Sequence, residues 1–169
     1  MVLLILQHTP VWVWGLFAAL VALGLSQTHD RDVSVLRLTV LPLLLVALSL
    51  SGVLRAFGHM PIAFAGWGAG LAFALGFVRQ HMAVRGAAWL RDTQRIRVPG
   101  SWLPLGLIVG LFAVKYLAGA SLAMVPALAS EPIFAGGCSL LYGLFSGLFL
   151  ARALSLRMLA REPAGAQLA

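Results

Sequence analysis

Five apolar runs, separated by connections that hold nearly all the arginines, constrain this chain more than any other feature. A helix needs about 20 mainly apolar residues, rising 1.5 Å each, to cross a hydrocarbon core of about 30 Å. The runs extend from about Pro10 to Leu25, with an apolar lead at Val2 to Leu6, and then over 38–54, 61–78, 101–123 and 132–150. Only the fourth contains a charge, Lys115. Hydrophobic residues make up 61% of the chain and charged ones 10%, against roughly 25% charged in a soluble domain, so polar surface is too scarce to cover a water-exposed globule. The expected architecture is all-α, a single integral membrane domain over residues 1–169 built as a bundle of about five transmembrane helices.

The arginines set a direction. Arg31 and Arg37 lie between the first two runs, Arg79, Arg85, Arg91, Arg95 and Arg97 between the third and fourth, and Arg152, Arg157 and Arg161 in the tail. The other connections hold Arg55 alone. The positive-inside rule then places the tail and both basic loops in the cytoplasm and the N-terminus outside, in an inner membrane. Helices one, three and five would start on the outer face, and their starts share a pattern: Thr9-Pro10, Met60-Pro61 and Glu131-Pro132. Proline suits a first helical position because that N–H has no partner within the helix. Trp12 and Trp14 at the outer end and Trp102 at the inner end fit interfacial anchors. Without a basic leader, the first run is expected to be a retained helix and not a cleaved signal. The basic excess does not point to nucleic acid, which calls for charge concentrated on one soluble face.

The longest connection, the basic loop 79–100, is the one sizeable soluble feature. Its Trp89 to Val98 portion reads either as a short hairpin around Asp92 and Thr93 or as a basic surface helix, held to an anionic leaflet at about 1 kcal/mol per basic side chain. Small residues let helix backbones approach closely in lipid. Ala135, Ser139, Gly143, Gly147 and Ala151 recur every four residues on the fifth run, and GxxxG pairs occur at Gly66 and Gly70 and at Gly106 and Gly110. Such faces serve packing within one protomer or association with a second copy or a membrane partner.

Chemistry-bearing patterns are sparse. The chain has no GxGxxG, Walker loop, HExxH, CxxC or GxSxG, and no cofactor is expected. All five acids, Asp30, Asp32, Asp92, Glu131 and Glu162, fall outside the runs, so an intramembrane carboxylate relay has no members. The single Cys138 excludes an intramolecular disulfide. His8, His59 and Glu131 would share the outer side just ahead of helix starts, and two His with a carboxylate is a competent zinc set, although a carboxylate there is also favoured by the helix dipole. Lys115 is the residue most expected to carry function, with Tyr116, Tyr142, Ser139 and Ser146 as its candidate partners.

The segments "LLILQHTPVWVWGL", "VPGSWLPL", "FAVKY" and "LYGLFSGLFLARAL" resemble an uncharacterised family of small proteobacterial inner-membrane proteins, a domain of unknown function. That resemblance implies the architecture and no activity. A more distant similarity is to CcdC-like membrane proteins, linked to cytochrome c biogenesis, which share a basic turn before a helix bearing one central basic residue. With one cysteine, the chain would have at most an accessory role there. The readings that remain are a non-catalytic assembly or accessory protein, a small permease or channel component with Lys115 on its path, and a membrane enzyme using the outer His and Glu set.

Overall fold

A computed structural model of the chain describes residues 10–81, 87–90 and 95–159. Five α-helices occupy most of it: α1 Val11–Leu25, α2 Val35–Phe57, α3 Pro61–His81, α4 Leu103–Met124 and α5 Pro132–Leu159. Three short strands, β1 Arg31–Ser34, β2 Ala88–Leu90 and β3 Arg95–Val98, lie in the connections before α2 and α4, and a 3-10 turn, Pro126–Ser130, joins α4 to α5. The helices α2 to α5 are long and apolar enough to cross a membrane. Five crossings were expected, but α1 has 15 residues, about 22 Å of helix, which is shorter than the hydrocarbon core. The apolar lead at Val2 to Leu6 lies outside the described residues. At 28 residues, about 42 Å, α5 exceeds the core and continues past the predicted end near Leu150.

Helix α5 is the centre of the bundle, with α3, α2 and α4 all packed against it, while α1 packs on α4. Its tightest partner is α3. An added Cβ at Gly66 would lie 2.6 Å from the Gly136 carbonyl oxygen, one at Gly147 would lie 2.7 Å from Ala74 Cβ, and those at Gly70 and Gly143 would strike the backbone carbonyls of Leu140 and Trp67. Dispersion between near-touching backbones is the main attraction available here, because lipid removes the hydrophobic drive between helices. Ala135, Ser139, Gly143, Gly147 and Ala151 are all buried on this side of α5. Val53 and Phe57 of α2, Ala63 of α3, Ala118 of α4 and Ala135 and Tyr142 of α5 form the core where the four long helices meet. Phe17 of α1 meets Phe112 of α4 with ring centroids 4.8 Å apart, and Gly24 admits the side chain of Leu105.

The end of the bundle that carries most arginines is capped by an antiparallel sheet in the order β1-β3-β2. Of the two readings of the basic loop, paired strands are observed, with Ala88 opposite Arg97 and Leu90 opposite Arg95, while the turn expected around Asp92 and Thr93 lies outside the described residues. Strand β1, from the other basic connection, pairs with the free edge of β3 from Arg31 opposite Val98 to Ser34 opposite Arg95. The small sheet sits on the expected all-α bundle without changing its class, and its cause is alternation. Val33, Ile96 and Val98 turn to one face and are buried with Leu156 of α5, while Asp32, Arg95 and Arg97 turn to the other. Gly100 lies against the Thr28 carbonyl with no room for a Cβ, and its N–H donates to Asp30 Oδ1 at 2.8 Å. That contact fastens the two basic connections together beside the sheet.

Candidate functional site

Lys115 lies in the middle of α4, on the side that faces α2 and α5. Its Nζ sits 4.6 Å from the ring centroid of Tyr142 on α5, and a Cβ built on Gly52 of α2 would be 3.3 Å from the same atom. Gly52 therefore leaves the space that the ammonium fills. A cation over an aromatic face is worth about 0.5–1 kcal/mol when exposed and about 2 kcal/mol or more when desolvated. Lys115 is half-buried, between those limits. Among the described residues the one salt bridge joins Arg97 to Asp32 on the sheet, so no carboxylate neutralises Lys115.

Around Tyr142 a chain of hydrogen bonds ties three helices. Trp67 Nε1 of α3 donates to Ser49 Oγ of α2 at 3.2 Å, and the Ser49 hydroxyl donates in turn to the Tyr142 carbonyl at 3.2 Å. Ser146 Oγ donates to that same carbonyl at 2.7 Å. An exposed polar atom in hydrocarbon costs several kcal/mol, so groups that satisfy one another hold their helices in register. The Ser139 hydroxyl, fully buried one turn earlier, has no hydrogen-bond partner among the described residues.

Several predicted residues come together here and others do not. Lys115 and Tyr142 meet. Tyr116 lies on a different face of α4, stacked on Phe112 with centroids 6.1 Å apart, and helps line an apolar cleft of about 280 Å³ between α1 and α4 with Val13, Trp14 and Phe17. Gly110 accommodates the Phe145 ring, whereas Gly106, one turn away, faces open space. His8 lies outside the described residues; His59 and Glu131 are exposed at the end opposite the sheet. Among the described residues no three His, Cys, Asp or Glu side chains converge as a metal set. Ser49, Gly52 and Trp67 escaped the sequence reading, although "SLSG" at 49–52 interrupts a leucine-rich run and was a usable signal.

These features define a polytopic helical membrane protein, capped at one end by a small sheet and carrying a half-buried lysine over Tyr142 beside a hydrogen-bonded chain from Trp67 through Ser49 to the Tyr142 carbonyl. No narrower class follows from the geometry. The chain belongs to the family of unknown function DUF6622, whose model matches residues 1–167. It is similar to an uncharacterised protein of Pasteurella multocida (strain Pm70), 32% identical over 90 residues, an alignment that covers 53% of this chain and 68% of that one. No solved structure matches the chain.

Proposed function

We propose that this protein is a non-catalytic assembly or accessory component of a bacterial inner membrane, with its N-terminus outside and its C-terminus in the cytoplasm. The observation that carries this reading is how the bundle's polar groups are used. Trp67, Ser49, Ser146 and the Tyr142 carbonyl bond to one another, tying α2, α3 and α5 together and using these polar groups to hold the bundle. Gly66 and Gly70 of α3 and Gly136, Gly143 and Gly147 of α5 are occupied with the opposite helix, so a partner would meet the outward apolar faces, where Trp12, Leu44 and Ile133 are exposed. The orientation is supported by the arginines gathered at the sheet end. An accessory role near cytochrome c biogenesis rests on the CcdC-like layout alone.

Purification in mild detergent followed by mass measurement of the intact assembly tests the proposal. A defined oligomer or a reproducible partner is expected. A 17.9 kDa monomer carrying only detergent and lipid would remove it.

A second reading, a small permease or channel component, is favoured by one observation. Lys115 places an ammonium deep in the bundle without a carboxylate partner among the described residues, and such groups commonly mark ion or substrate paths.

A further inference from the structure

Lys115 stands near the middle of the 22-residue α4, and the chain offers no opposite charge at that depth. Asp30 and Asp32 lie at the sheet end, Glu131 is exposed at the opposite end, and Asp92 and Glu162 belong to the basic loop and the tail. A second copy of the chain therefore brings no counterion to mid-span either. The face of Tyr142 offsets only part of the cost of an ammonium in hydrocarbon.

The ammonium is also not sealed in. Helices α2 and α4 each pack on α5 and hardly approach one another, so a lateral gap separates them with Tyr142 of α5 on its floor. Lys115 Nζ lies in this gap, 4.6 Å from the Tyr142 ring centroid, with Gly52 of α2 as the near wall, where an added Cβ would stand 3.3 Å from Nζ. Tyr142 is buried, whereas Lys115 and Gly52 are only partly covered, so the gap is reached from outside the bundle. Both α2 and α4 run away from the sheet end. One turn farther along each, the wall stays small: Ala56 follows Gly52, and Gly119 follows Lys115 at a position where an added Cβ would meet nothing.

We propose that the gap between α2 and α4 receives a transmembrane helix of another membrane protein, one carrying an aspartate or glutamate at mid-span, and that this carboxylate pairs with Lys115. The inference rests on the assembly role and names the chemistry of the partner. A soluble anion must shed its water to reach this depth, whereas a carboxylate borne on a helix is carried there with the span. The small wall residues let a further backbone come close enough for the pair to form.

The test uses the full chain in phosphatidylcholine vesicles and model leucine–alanine transmembrane peptides of about 21 residues, identical except for a central glutamate, glutamine or leucine. The peptides are kept dilute in lipid so that they do not pair with one another, and energy transfer from labelled protein reads association. The glutamate peptide is expected to associate about tenfold or more strongly than the other two. Lys115→Met should erase that preference, and Lys115→Glu should transfer it to a peptide with a central lysine. Gly119→Leu, whose side chain enters open space, should melt like the parent and weaken the glutamate peptide by about fivefold or more. If Lys115→Glu does not fold, Lys115→Met and Lys115→Gln make the comparison. Glutamine binding as well as glutamate, or a preference that survives in folded Lys115→Met, would overturn the ion pair. Unchanged binding by Gly119→Leu would overturn the seating in the gap. No native partner is needed, so the two proposals fail separately. A monomer in the mass measurement removes the assembly role and leaves the peptides to judge the site, whereas a defined assembly with peptides that do not discriminate keeps the role and overturns the site.

Discussion

Lys115 lies 12 residues beyond Leu103, roughly 18 Å along α4. Helical side chains lean toward the N-terminus of their helix, which here is the sheet end, so the lysine stem reaches back along α4 and its ammonium settles over Tyr142. A lysine at the centre of a span costs at least about 2.5–3.5 kcal/mol on insertion scales, more than the aromatic contact returns. Lys115→Met should therefore keep the fold and melt at or above the parent in detergent. If the permease reading holds, the same variant fails to restore whatever phenotype a deletion strain shows. Full complementation by Lys115→Met together with failure of Lys115→Arg would mean that the space beside Gly52 matters and the charge does not. The charge in an apolar run was legible from the sequence. The Ser49 to Trp67 bond was not, because each residue reads as an ordinary member of its own helix, and only the pairing of α2 with α3 over α5 joins them.

Between helices, the contact of α3 with α5 shows what spacing can and cannot reveal. Small residues every four positions announce a smooth face, yet they do not name its partner. Gly106 and Gly110 look as much like a packing pair as Gly66 and Gly70, but only Gly110 has a side chain, Phe145, against it. This difference makes a discriminating prediction. Gly143→Leu or Gly70→Leu drives a side chain into a neighbouring backbone carbonyl and should destabilise by at least the 1–3 kcal/mol typical of overpacking. Gly106→Leu, facing open space, should melt like the parent. Comparable losses at all three positions, measured by thermal unfolding in detergent, would show that the α3 to α5 contact is not what these glycines serve.

The assembled chain brings its basic connections to one end and ties them with a sheet, although residues 31–34 and 95–98 are far apart in sequence. Their shared end is what the positive-inside rule needs, since arginines held together must lie on one side of the membrane. A topology reporter fused after Ala169 should respond only as a cytoplasmic one, and a reporter inserted at Gly58 only as an external one. A third, placed ahead of Met1, reads α1 directly, and an external response is expected if this 15-residue helix crosses a locally thinned bilayer. The reverse pattern at Ala169 and Gly58 would overturn the orientation and the outer-side grouping of His8, His59 and Glu131 with it.

By itself the sequence determined that lipid is the solvent of this protein, roughly where its helices lie, and that its charges gather in particular connections. These are sums over contiguous residues: transfer of a run into hydrocarbon depends on that run alone, and a helix satisfies its backbone internally. Tertiary structure decided the rest. Four residues at 31–34 have no stability as a strand until β3 offers its edge, α3 chose α5 over α4 through shapes that only two helices together possess, and Lys115 acquired its aromatic floor because α5 runs through the centre of the bundle. Each is a contact between distant segments, and its energy does not exist in either segment alone.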